Sequence, residues 1–159
     1  MRIYSEFDTG KWKVLGERGH GDCNLSAFIG GVPNFLTDGE LVFGGTGGQL
    51  CLADMQGHSE ALAKIEEPLE QKRVVSQDGR LVAISLAHLE IKKHIASKAS
   101  MSITARRIGV YDVSVKKWAL TVDVVPLPKN DYDFALSPDG SKLAILNDRK
   151  VSVYAVPMQ

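Results

Sequence analysis

One local pattern recurs three times along this chain of 159 residues. FLTDGELVF at 35–43, VVSQDGRLVAI at 74–84 and FALSPDGSKLAIL at 134–146 each set an Asp-Gly pair between two short apolar runs. An aspartate side chain accepts hydrogen bonds from the turn backbone that follows it, and glycine tolerates positive φ. Asp38-Gly39, Asp78-Gly79 and Asp139-Gly140 therefore predict tight turns that close β-hairpins, and these six residues are read as structural rather than as ligands. In the third copy Pro138 also pre-sets a turn backbone.

Each hairpin is followed by a further strand candidate, QLCLAD at 49–54, RIGVYDV at 107–113 and VSVYAV at 151–156. A fourth follows in two of the three copies, EALAKI at 60–65 and KWALTV at 117–122. The unit is then four short antiparallel strands joined by tight turns. The turn glycines lie 40 residues apart from 39 to 79, close to the ~40–45 residues of a four-stranded unit, and 61 apart from 79 to 140. The longer interval is expected to hold an insertion over 88–106, read as an extended hairpin or loop, with a short helix as the alternative. The N-terminal IYSEFDTGKWKVL lines up with VYDVSVKKWALTV on Trp12 and Trp118, so residues 1–16 read as the outer strands of an earlier unit. The expected layout of this single segment, 1–159, is therefore outer strands at 1–16, a unit at 33–66, a unit with its insertion at 71–124, and a partial last unit at 132–156.

FALSPDGSKLAILNDRKVSVYAV resembles the SPDG-type repeat of bacterial WD40-like, YVTN-type and TolB-type β-propellers, and VVSQDGRLVAI with RRIGVYDVSVKKW is similar to it, Gln77 standing for the proline. The resemblance implies an all-β fold of about three four-stranded propeller blades. Propellers close at four to eight blades, so the chain is expected to be either part of a longer propeller or one that completes a ring with copies of itself. A strand pattern that starts at the second residue fits the first of these.

Composition narrows the function classes. Nineteen basic residues balance nineteen acidic ones, so the chain lacks the overall field of a nucleic-acid-binding protein, and no nucleic-acid partner is expected. No apolar run approaches the roughly 20 residues of a membrane span, and no basic region followed by an apolar stretch marks a signal peptide. A soluble protein is expected, of unassigned compartment. Cys23 and Cys51 are too few for a disulfide-built fold. Two half-buried thiols are the plain expectation, and one bridge is the alternative.

No catalytic, cofactor or metal set emerges. The glycine run GGTGGQ at 44–49 lies between strands and lacks the helix that completes a phosphate loop. Ser137 belongs to its turn and to no GxSxG elbow. His20, Cys23, Cys51 and His58 lack the close ligand pairs of a zinc site. The inner strands offer Asn34, Arg73, Asp131 and Asp133, too sparse a set for a reaction.

In a propeller blade the first-to-second and third-to-fourth strand turns share one face, and the other connections share the opposite one. That opposite face would carry residues 44–48, the insertion and the link ERGHGDCNLSAFIGGVP at 17–33. Long loops on a rigid scaffold are where binding concentrates. Lys92, Lys93, Lys98, Arg106 and Arg107 face a single Glu90 there and form the candidate binding set, for an anionic partner or simply as a solvated face. The leading expectation is a non-catalytic propeller scaffold for a protein or small-molecule partner, with no cofactor. The alternatives are part of a propeller enzyme of quinoprotein-dehydrogenase, lactonase or peptidase-associated type, and purely structural blades of a larger ring.

Overall fold

The computed structural model describes residues 2–6, 12–17, 23, 34–36, 39–44, 49–54, 58–65, 69–92, 100–129 and 131–157. Thirteen strands are formed among them, and no helix long and apolar enough to cross a membrane is present there. The chain divides into two compact units, 1–66 and 67–159.

Unit 1 holds β1 (Arg2–Glu6) paired antiparallel with β2 (Trp12–Glu17), and a four-stranded meander. The meander runs β3 (Asn34–Phe35), β4 (Leu41–Gly44), β5 (Gln49–Ala53) and β6 (Ser59–Lys64), each strand paired with the next. Gly39 sits between β3 and β4 at φ 86, a conformation that glycine adopts without steric cost, and its amide donates to the Leu36 carbonyl at 3.2 Å. Asp38 lies outside the described residues, as does the 45–48 part of the glycine run.

Cys23 and Cys51 are joined by a disulfide whose Cα atoms are 5.7 Å apart. The bridge is buried with Leu41, Phe43 and Ala53, and the Ser59 hydroxyl donates to the Cys23 carbonyl at 3.3 Å. The expectation of two thiols is thereby corrected. Cys51 points inward from β5, and the segment that brings Cys23 to it has no hydrophobic period from which the approach could be read.

Unit 2 contains two sheets. The first is the meander β7 (Leu69–Val75), β8 (Leu81–Lys92), β9 (Ser100–Asp112) and β10 (Lys117–Asp123); the second is β11 (Tyr132–Leu136), β12 (Lys142–Asn147) and β13 (Lys150–Ala155). Alternation of side chains across a strand gives each sheet two faces. Leu81, Ala83, Ile108 and Val110 on one face of the first pack with Phe134, Leu143 and Ile145 of the second and with Val124 and Val156, all almost wholly buried. On the other face of the first sheet Trp118 meets Tyr111 edge to face, with ring centroids 5.1 Å apart. A Cβ on Gly109 would come within 2.3 Å of the Trp118 ring, so a side chain at 109 would displace it.

The described parts of the insertion, 88–92 and 100–106, extend the β8–β9 hairpin. β8 and β9 stay paired as far as Lys92 and Ser100, with an irregularity after His88, and 93–99 lie outside the described residues.

The Cys23–Cys51 bridge closes a loop of separation 28, for which chain-entropy bookkeeping gives about 3–4 kcal/mol. Denaturant unfolding with and without reductant, or of Cys23→Ser/Cys51→Ser, should show a loss of that order; unchanged stability would mean that the bridge constrains nothing.

Candidate binding face and turn face

At one end of unit 2 lie the Asp-Gly turns. Both have one geometry, because their residues are the same where it matters. Asp78 Oδ1 accepts from the Ser76 hydroxyl and the Arg80 amide at 2.5 and 3.0 Å, and Asp139 Oδ1 accepts from the Ser137 hydroxyl and the Ser141 amide at 2.6 and 3.0 Å. Each serine hydroxyl in turn accepts an amide across the turn, from Leu81 and from Lys142, both at 2.9 Å. Gly79 and Gly140 have φ of 74 and 72. The two turns also touch. The Gln77 amide donates to the Pro138 carbonyl at 2.9 Å, and a Cβ on Gly140 would lie 2.6 Å from Leu81 Cδ1. Neither serine is an activated nucleophile, since each is committed to an aspartate and a backbone amide.

The third-to-fourth strand turn shares this end. Buried Asp112 accepts from Arg80 Nε and Nη2 at 2.8 and 2.7 Å and from the Ser114 hydroxyl at 2.6 Å. Burial alone would raise the Asp112 pKa, but the Arg80 and Ser114 bonds outweigh it and hold the carboxyl below its ordinary value. In unit 1 Asp54 stands at the matching place and accepts from the His58 amide and ring Nδ1, both at 2.8 Å. An open depression of about 220 Å3 lies there, lined by Glu40, Leu52, Asp54, His58, Ser59 and Glu60. The Ser59 hydroxyl beside them is bonded to the Cys23 carbonyl, and no nucleophile completes the Asp54–His58 pair among the described residues. Both cysteines are tied up in the disulfide, so neither is a thiolate ligand. No metal-holding group of carboxylates, cysteines and histidines occurs among the described residues.

The opposite end of unit 2 is built by the base of the β8–β9 extension, by the link 124–131 and by the β12–β13 turn. The link contains a cis Val125–Pro126 peptide and is pinned on both sides. The Val124 amide donates to the Arg106 carbonyl, Asn147 Nδ2 donates to the Pro126 carbonyl, and the Lys129 amide reaches the Asp148 carboxylate at 3.0 Å.

Of the candidate basic set, Arg106 and Arg107 are the members whose side chains are described. Arg106 and Arg107 are adjacent on β9 and so emerge on opposite faces. Arg107 pairs with Asp123 of β10 at 2.7 Å, while the Arg106 guanidinium lies 4.1 Å from the Tyr132 ring centroid. Lys92 ends β8 opposite Ser100, six residues from Arg106, or about 20 Å along the ladder. Lys93 and Lys98 lie outside the described residues. The cleft between Leu86, His88, Ala105, Arg106, Arg107 and Asp123 has a volume of about 30 Å3, the share of one water.

Two partners in this face were not evident from the sequence. Tyr132 donates to or accepts from buried Ser85 at 2.9 Å and carries Arg106 on its ring, and Lys72 pairs with Asp133 while lying 5.2 Å from the Phe134 ring centroid. Both tie one sheet to the other, and only strand register could have exposed them. Of the polar residues placed on inner strands, Arg73 is buried with its pKa lowered by that burial, Asp133 is exposed and ion-paired, and the Asp131 carbonyl accepts the Asp148 amide. Asn34 opens β3.

No family model matches the sequence, and no curated protein matches it. Solved structures similar to this chain include Hsv2 of Kluyvelomyces marxianus, with 18% identity and a TM-score of 0.64 over 99% of this chain and 42% of that one. Dipeptidyl peptidase 4 of Porphyromonas gingivalis aligns with 13% identity and a TM-score of 0.51 over 98% of this chain and 27% of that one. The chain thus spans less than half the length of either. At such identities the likeness is one of fold. Together with the meander sheets it makes this an all-β chain of β-propeller type with about three blades.

The Ser137 hydroxyl, first, and the Ser141 amide and hydroxyl hold Asp139 at a pKa of about 2, against an ordinary 3.8. The folded value is the lower one, so the stability that this turn lends is complete above about pH 4 and disappears as the pH falls toward 2. Melting temperatures followed through that window should fall more steeply for the natural chain than for Asp139→Ala. Parallel curves would remove Asp139 from the account of the turn.

Proposed function

We propose that this chain is a non-catalytic β-propeller scaffold built on SPDG-type repeats, which presents the end formed by the β8–β9 extension and the 124–131 link to a protein or small-molecule partner. The observation that carries the reading is the length of that hairpin. β8 and β9 run 12 and 13 residues, where the other described strands run from 2 to 7, and the extra length projects beyond the strands that need it for pairing. A structure that projects from a packed sheet without adding to its core is the kind of feature that scaffolds use for recognition. The turn end offers no comparable projection, since its polar groups are consumed by Asp78, Asp112 and Asp139.

The pairing of Arg107 with Asp123 and of Arg106 with Tyr132 favours a mixed polar and aromatic recognition surface over a purely anion-binding one. The absence of a convergent nucleophile or metal group among the described residues gives no support to the enzyme alternative. The buried Cys23–Cys51 bridge supports residence in an oxidising compartment.

Nuclear magnetic resonance screening of the chain against fragment and short-peptide libraries tests the reading. Shift changes should gather on Leu86–Arg107, Asp123–Lys129 and Tyr132, and be lost when 88–105 is replaced by an Asn-Gly turn that leaves the melting temperature unchanged. Hits gathered on Ser76–Arg80 and Asp112–Lys117 instead would move the binding face to the other end.

A further inference from the structure

Two of the Asp-Gly pairs, Asp78–Gly79 and Asp139–Gly140, hold the reactants of a covalent change in the chain itself. The backbone nitrogen after an aspartate, once deprotonated, can attack that aspartate's Cγ, and glycine leaves the nitrogen open to approach because it has no side chain. The N–Cγ bond forms, the C–OH bond of the carboxylic acid breaks and water departs, leaving a five-membered succinimide. Water then opens the ring at either carbonyl. One opening restores aspartate; the other gives isoaspartate, in which the main chain runs through the former side-chain carbonyl and is one methylene longer. The step needs the protonated acid, since a carboxylate would have to expel oxide.

Each turn withholds both reactants. The Gly79 amide donates to the Ser76 carbonyl at 2.9 Å and the Gly140 amide to the Ser137 carbonyl at 2.8 Å, so each nitrogen keeps its proton engaged. The Asp78 and Asp139 carboxylates are turned to the amides two residues on, those of Arg80 and Ser141, both at 3.0 Å. The Ser76 and Ser137 hydroxyls donate to the same two oxygens at 2.5 and 2.6 Å. A donated hydrogen bond favours the ionised form. In both turns the serine is the largest of the causes that hold the carboxyl below its ordinary value. Both aspartates are exposed, so water has access to the ring once it forms.

One difference separates the two turns. Ser141 adds its hydroxyl to both Asp139 oxygens at 2.9 Å, whereas Arg80, at the matching place, sends Nε and Nη2 of its guanidinium to Asp112 at 2.8 and 2.7 Å. Asp139 is the more firmly held of the pair. We propose that Asp78 and Asp139 are latent isomerisation sites kept closed by the Ser76 and Ser137 hydroxyls, with Asp78 the first to react. The added methylene at 78 falls beside Gln77, whose amide bond to the Pro138 carbonyl joins one turn to the other, so isoaspartate there loosens the contact between the two sheets. The inference rests on the turn geometry and not on the choice of binding face.

The test is peptide mapping of the full chain and its variants after storage near neutral pH. Isoaspartate has the mass of aspartate, so it is read by chromatographic separation of the two peptide forms and by resistance to a protease that cleaves before aspartate. A change of one in pKa is about tenfold in the protonated share. Ser76→Ala should therefore gather isoaspartate at 78 about tenfold faster than the natural chain, with 139 near its natural rate, and Ser137→Ala should do the reverse. Ser76→Thr and Ser137→Thr keep the hydroxyl and should stay near the natural rates. In the natural chain and in Ser76→Ala/Ser137→Ala, position 78 should lead 139. Ser85→Ala removes a buried serine hydroxyl bonded to Tyr132 rather than to a turn, controls for general loosening, and should leave both rates unchanged. Serine-to-alanine rates no higher than the natural ones, a rise as large in Ser85→Ala, or isoaspartate at 139 ahead of 78 would each overturn the proposal.

Discussion

Burial of an apolar face between two antiparallel sheets is what the rest of unit 2 depends on. A four-stranded meander cannot hide both of its faces alone, and no helix covers either sheet of this unit among the described residues. Phe134, Leu143 and Ile145 fill the shallow surface left by Leu81, Ala83, Ile108 and Val110, with each of these side chains almost wholly removed from water. At about 1.5–3 kcal/mol for each large side chain, this burial far exceeds what any one surface ion pair of the unit supplies. Lys72–Asp133 and Arg107–Asp123 are exposed on both partners and serve register more than stability.

Stacking also explains the turns. Two sheets can approach this closely only if the ends of their hairpins are compact, and the Ser-x-Asp-Gly turn is compact because it satisfies its own polar groups. Ser76 and Ser137 each bridge an aspartate and a backbone amide, so these hydroxyls find their partners inside the turn. The bond from Gln77 to Pro138 then fixes one turn against the next. The repeat visible in the sequence is the trace of that requirement, and loops at the other end are free of it. That freedom is why the β8–β9 hairpin could lengthen there without disturbing the core.

The hairpins, the strands that follow them and the all-β class were legible because Asp-Gly pairs and period-two alternation are local signals. The residues 107–113 and 151–156 announced third strands by their shared Val-Tyr pattern, and the extended-hairpin reading of the insertion agrees with the paired β8 and β9. What could not be read were contacts set by register and by chain crossings. Arg107 meets Asp123 only because β9 and β10 pair in one particular alignment, after an irregularity between Trp118 and Leu120. Tyr132 meets Ser85 and Arg106 only across two sheets. Cys23 reaches Cys51 from a stretch with no period at all, so spacing carried no information about the bridge. Arg106 and Arg107 are neighbours in sequence, but alternation along β9 sends them to opposite faces of the sheet.

The central claim is that the two sheets of unit 2 stand or fall as one stacked body. Native-state hydrogen exchange of the chain and of Phe134→Ala tests it most directly. The account predicts that this substitution, expected to cost about 3–5 kcal/mol, lowers protection together at Gln77 between the turns, at Ala83 and Val110 in the first sheet, and at Leu143 and Ile145 in the second. Loss of protection confined to β11–β13, with Ala83 and Val110 as slow to exchange as before, would contradict it.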